Sequence, residues 1–278
     1  MIKSANFLLI IIFILQTIIG FIFNSGNFSY LFNIIVSQVF AILIPVICFQ
    51  IVNKNRKIRI RQGKFENVHI IIALLTAFSI NIIAQYVNIP MISILTNASV
   101  DMPIDYVPNG VFEFFTYFVL IAFVPAILEE VLFREIVLNE YRGVYGDAKA
   151  IVLCGLAFSL LHLNPVSFIP QFLIGMFLSY LTVKTGGILL SVICHFAQNA
   201  SLVIMRKFFY DEAVHLLENN ILLNSIVSLI ILVFGIYVIG KSLKTKPNTH
   251  NTSVDENITT SLYFIFVSIV LAFSIILN

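Results

Sequence analysis

Three short stretches of this 278-residue chain carry side chains that could do chemistry in otherwise apolar surroundings. They are "EEVLFR" from Glu129, "FSLLH" from Phe158 to His162, and "HFAQN" from His195 to Asn199. On a helix, Glu130 and Arg134 stand at i,i+4 with the acid first, the order that favours an ion pair. Glu129 is then turned about 100° around the axis and can face something else. One carboxylate neutralised by an arginine, beside one left available, suits general-base work. The plainer alternative makes all three interfacial charges near the end of a membrane span.

Phe158 and His162 are also spaced i,i+4, as are His195 and Asn199, so an imidazole and a carboxamide project from one turn. A single histidine on an apolar helix is more often a hydrogen-bonded core residue than a catalyst. Two histidines, one with an amide a turn away, together with the glutamate pair, can supply a base, a polariser and donors for a developing oxyanion.

The elements that position these groups must be membrane helices. The chain is 59% hydrophobic and only 11% charged, with a mean hydropathy of +1.00, against roughly 25% charged in soluble domains. Apolar stretches of about 20 residues, enough to cross a bilayer, recur along its length. The expected fold is all-α: a polytopic transmembrane helical bundle of eight or nine segments forming a single membrane domain over residues 1–278. The spans read as 6–23, 30–52, 68–89, 111–138, 150–163, 166–184, 187–205, 221–240 and 259–277. The fifth is short and closes at Asn164-Pro165, because proline disfavours helical geometry in the residue before it. Residues 150–184 therefore make either two crossings or one bent hairpin. The first apolar run is longer than a signal-peptide core and no small-residue cleavage pattern follows it, so it reads as an uncleaved helix.

The stretch "NKNRKIRIRQGK" at 53–64 carries six basic residues and is expected in the cytoplasm. Alternation from there puts Lys3, Arg142, Lys149, Lys184, Lys241, Lys244 and Lys246 on the same side, and Arg206 and Lys207 on the other. The N-terminus is then inside and the C-terminus outside. A net charge of +2 gives no sign of a nucleic-acid partner. Cys48, Cys154 and Cys194 lie within spans and form no disulfide or metal-ligand pattern. An ionisable group at membrane depth costs about 2.5–3.5 kcal/mol, which makes each one a functional hypothesis. These groups concentrate in 111–138, 150–163 and 187–205.

The three stretches, in this order and each in its own span, resemble the EExxxR, FxxxH and HxxxN motifs of the CAAX-protease and bacteriocin-processing family. That family comprises multi-helical intramembrane endopeptidases, including the type II CAAX prenyl proteases. The resemblance covers about 111–205, roughly a third of the chain. It implies that Glu129 activates the water with His162 as partner, that His195 and Asn199 stabilise the oxyanion, and that Glu130, Arg134 and Phe158 support the site. Many members have glycine after the motif arginine where this chain has Glu135, which bears on how closely a neighbouring helix packs there.

The function expected from this resemblance is an intramembrane endopeptidase with a glutamate-activated water in a cavity open to the cytoplasmic side. No cofactor is expected, although zinc held by His162, His195 and Glu129 is a feasible alternative. Other intramembrane chemistries lack their signatures. There is no HExxH and no serine in a GxSG setting, and "GVYGD" at 143–147 falls in a loop without a second buried aspartate. The partners are the lipid bilayer and a membrane-associated peptide or protein, prenylated or not. The Ile-, Asn-, Lys- and Phe-rich composition suits a bacterial cell membrane. The rival reading is a non-enzymatic immunity, binding or transport-related protein in which the polar cluster only packs or binds.

Overall fold

A computed structural model of the chain describes residues 2–24, 30–53, 58, 60–97, 108, 110–209 and 220–243. The described residues are helical throughout apart from turns and connections. In chain order they form α1 (Ile2–Asn24), α2 (Tyr30–Val36), the π-helical stretch π1 (Ser37–Leu43), α3 (Ile44–Val52) and α4 (Asn67–Asn97). Next come α5 (Val111–Tyr117), π2 (Phe118–Phe123), α6 (Val124–Glu130), π3 (Val131–Val137) and α7 (Leu138–Tyr145), which run on as one long helix. Finally there are α8 (Asp147–Leu160), α9 (Phe168–Thr185), α10 (Leu189–Phe208) and α11 (Ile221–Ser242).

Seven helices among the described residues are long and apolar enough to cross a membrane. The protein is thus a polytopic helical bundle. The segment at 150–163 is not one of the seven. Its helix, α8, has 14 residues, about 21 Å, against a hydrocarbon core of roughly 30 Å. It turns back instead and packs along α9 as a hairpin. The expected span at 259–277, like Lys244 and Lys246, lies outside the described residues.

The hairpin closes tightly because glycines face each other across it. A Cβ added to Gly155 would stand 2.6 Å from Met176 Cγ and 2.9 Å from Met176 N, and one added to Gly175 would be 3.1 Å from Gly155 Cα. A second close approach lies at the α9–α10 turn. There the Lys64 N–H donates to the Thr185 carbonyl and the Ile188 N–H to the Arg61 carbonyl, both at 2.9 Å. A Cβ on Gly187 would collide with the backbone nitrogen of Gly63, so only glycine lets the 61–64 segment lie against this turn.

Polar contacts sort the helix ends into two groups. The Ala5 N–H bonds the Glu140 carboxylate at 3.1 Å and the Tyr141 hydroxyl donates to Asn6 at 2.7 Å. Arg61 pairs with Glu135 at 3.4 Å, and Lys184 Nζ donates to the Gly240 carbonyl at 3.4 Å. These bonds gather the ends near Lys3, Lys64, Arg142, Lys184 and Lys241 on one side. On the opposite side Lys207 Nζ donates to the Pro108 carbonyl at 2.6 Å. The alternation of basic residues requires this partition.

Two of the three π stretches have a local cause. Proline lacks an N–H and clashes with the carbonyl four residues back. Pro45 and Pro125 stand just after π1 and π2, where the ladder widens so that Ile44 N–H reaches Val39 and Val124 N–H reaches Val119, each five residues back. Such π segments occur often at functional sites, and here the three of them flank Glu129.

Candidate functional site

Glu129 and Glu130 close α6, Arg134 sits in π3, His162 in the turn after α8, and His195 midway along α10. The cluster is therefore assembled from the long fourth span, the short hairpin and α10. Glu130 and Arg134 are both fully buried, with Nη1 and Oε1 3.0 Å apart. That contact is a charge contact rather than an aligned hydrogen bond, because Nη1 has no hydrogen-bond partner among the described residues. Arg134 Nη2 donates to the Gly175 carbonyl at 3.1 Å, and the guanidinium lies 4.7 Å from the Phe158 ring centroid. The cation is thus held on three sides, by charge, by a carbonyl and by an aromatic face.

Phe158 is the packing hub. Its ring meets Phe133 edge-on at 5.0 Å, lies 4.7 Å from the His162 ring and 5.7 Å from the His195 ring, and is wholly buried. The hairpin loop that carries His162 is tied down by its own polar groups. Asn164 Oδ1 accepts the Val166 N–H at 2.9 Å, and Asn88 of α4 donates to the Val166 carbonyl. This asparagine turn starts α9 and fixes where α8 must stop.

Both histidines are oriented through Nδ1. His162 Nδ1 lies 2.7 Å from the Phe158 carbonyl, which can only accept, so Nδ1 carries the hydrogen. His195 Nδ1 lies 2.9 Å from Glu130 Oε1 and donates to that carboxylate. Each ring then presents Nε2 toward Glu129. His162 Nε2 is 4.0 Å and His195 Nε2 3.9 Å from Glu129 Oε2. Glu129 Oε2 is buried and makes no hydrogen bond to a described residue. It faces a gap of about the size that one water would bridge with bonds of roughly 2.8 Å.

Asn199 is placed differently. Its Nδ2 donates to the Ile121 carbonyl at 3.2 Å. Ile121 stands four residues before Pro125, which has no N–H to offer its carbonyl, and the Asn199 carboxamide is a donor to that carbonyl. The structure brings Glu129, Glu130, Arg134, Phe158, His162 and His195 together and gives Asn199 a partner beside them.

Gln38, in π1, was not among the residues singled out from the sequence. Its Nε2 lies 3.4 Å from Glu129 Oε1. It lines a cavity of about 170 Å³ with Gln16, Ile12, Ile42, Glu129 and His162. The signal for it was present, since a carboxamide in an apolar span is itself costly.

The donor chemistry around the gap suits zinc, because ligating histidines commonly donate their other ring N–H to a carboxylate or carbonyl. The spacing does not. Tetrahedral zinc with bonds of about 2.0–2.1 Å holds its ligand atoms roughly 3.3 Å apart, and both nitrogens here stand farther from Glu129 Oε2 than that. Among the described residues no group of three or more His, Cys, Asp and Glu side chains is arranged to hold a metal ion. The "GVYGD" aspartate, Asp147, is spent on Arg142 at 2.7 Å.

Residues 111–201 match the family model described as Type II CAAX prenyl endopeptidase Rce1-like. The matched segment contains all seven of the residues singled out above from the three motifs and covers about a third of the chain. No curated protein and no solved structure matches the chain significantly.

Proposed function

We propose that this protein is an intramembrane endopeptidase that hydrolyses a peptide bond in a membrane-associated peptide or protein. The observation that carries the reading is the gap bounded by Glu129 Oε2 and the two Nε2 atoms at 3.9 and 4.0 Å. Glu129 takes a proton from a water held there while the water oxygen attacks the substrate carbonyl, and it gives that proton to the amine nitrogen as the C–N bond breaks. His162, fixed through its Nδ1–H, orients that water. One water has two hydrogens and the gap offers three acceptors, so the set is completed by one more proton. His195, backed by Glu130, is the natural carrier, and its Nε2–H then donates to the developing oxyanion, with Asn199 as a second donor. Glu130 and Arg134 hold His195 in place. No metal takes part in this scheme.

The cavity opens toward the cytoplasmic side, and the protein sits in a bacterial cell membrane. The match at 111–201 supports peptidase chemistry and a substrate delivered at the membrane.

The test is cleavage of a fluorogenic peptide ending in Cys-aliphatic-aliphatic-X by protein purified in detergent, together with a comparison of membrane-protein fragments between wild-type cells and cells carrying Glu129→Gln. Loss of cleavage, and of specific fragments, with Glu129→Gln is the expected result. A cellular phenotype fully retained by Glu129→Gln would instead identify a binding or immunity protein.

A further inference from the structure

Gln16 and Gln38 lie in the first two membrane spans, outside the segment that matches a protease family. Both side-chain oxygens are buried without a hydrogen-bond partner among the described residues, and both side chains line the cavity that contains Glu129 and His162. A carboxamide at membrane depth is unfavourable unless its hydrogen bonds are met. The cavity, about 170 Å³, is where they can be met.

What meets them follows from the chemistry of the wall. A carboxamide offers a donor and an acceptor, the same pair that a peptide bond offers. An extended peptide presents N–H and C=O groups repeatedly along one edge, as a strand does to its neighbour. Gln38 gives its nitrogen to Glu129 Oε1 at 3.4 Å, which leaves its oxygen to accept and turns Oε2 toward the histidines. The rest of this wall, Ile12, Ile42 and Leu132, is apolar and suits side chains. A lipid chain would leave both amides unsatisfied.

We propose that Gln16 and Gln38 form a subsite that binds the backbone amides of a peptide beside Glu129, so that the first two spans supply recognition to reacting groups carried by 111–201. This rests on the peptidase reading of the same cavity. Gln16 makes no hydrogen bond to Glu129 and is the cleaner probe. Gln38 does both tasks.

The experiment measures binding without turnover. Glu129→Gln protein in lipid nanodiscs is titrated with a fluorescein-labelled peptide ending in Cys-aliphatic-aliphatic-X, in farnesylated and unmodified forms, and the anisotropy is read. Adding Gln16→Leu should weaken Kd about tenfold or more, the scale of one lost hydrogen bond in a dry site. Thr17→Val, whose hydroxyl bonds the Phe13 carbonyl within its own helix, should leave Kd unchanged. A second arm needs no new variant of the wall: a scan of single backbone N-methylations should find one position that weakens binding to the parent but not to the Gln16→Leu protein. Equal Kd with and without Gln16→Leu overturns the proposal, as does the absence of saturable binding of either peptide form. Cleavage by the otherwise native protein is scored separately. Turnover with a KM untouched by Gln16→Leu sinks the subsite and leaves the peptidase standing. Gln16-dependent binding without turnover does the reverse.

Discussion

Removing the guanidinium of Arg134 should lower the stability of the fold more than any single change at the groups proposed to react. In Arg134→Ala, Glu130 keeps His195 as a partner but loses its counter-charge at 3.0 Å, in a position with no solvent exposure. Stranding a buried charge costs roughly 3–5 kcal/mol. The lost bond to the Gly175 carbonyl and the lost stack on Phe158 belong to the same event and are not added to it. At about 2 °C per kcal/mol for a chain of this size, the midpoint of thermal unfolding should fall by about 6–10 °C. The molecule contains its own reporter, because Cys154 and Cys194 are buried and Cys48 is exposed. A thiol-reactive dye in detergent therefore gives a baseline from Cys48 and a rise when the core opens. The double variant Glu130→Gln with Arg134→Met removes both charges and should recover much of the loss, since an apolar replacement of a buried pair is often neutral. An Arg134→Ala protein that melts with the wild type would refute the reasoning, and so would a double variant that melts lower still.

Other outcomes follow from the same geometry. Asn199→Ala should cost about 10²–10³ in rate if the carboxamide meets the oxyanion, and should also lower the unfolding midpoint because the Ile121 carbonyl loses its donor; a lower midpoint with full activity assigns it to structure alone. Prolonged chelation should leave most peptidase activity in place, and activity that is lost and then restored by stoichiometric zinc would reassign His162, His195 and Glu129 as ligands. Gly155→Val should force α8 from α9, where even a Cβ meets Met176 at 2.6 Å, and destabilise by about 1–3 kcal/mol or more, read with the same dye. A topology reporter fused after Lys64 should report cytoplasm and one fused near Asp101 the exterior; the reverse result would invert the side to which the cavity opens.

The grouping of the polar side chains in the cluster was legible because charge in an apolar span is rare enough to be read singly. Glu129, Glu130, Arg134, His162 and His195 were identifiable one at a time and converge in space. Helix count was less so. Hydropathy over 150–163 resembles that of a span, and only Asn164-Pro165 hints that α8 stops short. Gln16 and Gln38 carry no charge and belong to none of the three motifs, so only the cost of an amide in an apolar span marks them. The π stretches were in principle readable from Pro45 and Pro125, but π3 has no proline and no comparable signal. Glu135, the departure from the glycine common in the resembled family, is a nearly buried partner of Arg61. The close helix approach is provided elsewhere, by Gly155 and Gly175.

The hydrogen bond from Gln38 to Glu129 has a consequence for what counts as the smallest working unit. The atoms proposed to react come from one contiguous third of the chain, yet Ile12, Gln16, Gln38 and Ile42 close the cavity from the first fifty residues. A fragment cut to 111–201 would carry every proposed catalytic group on an open trough, with one wall missing and Glu129 without its amide support. Two proteins could share the matched segment residue for residue and differ in what they accept, because the wall opposite Glu129 is built from residues outside that segment.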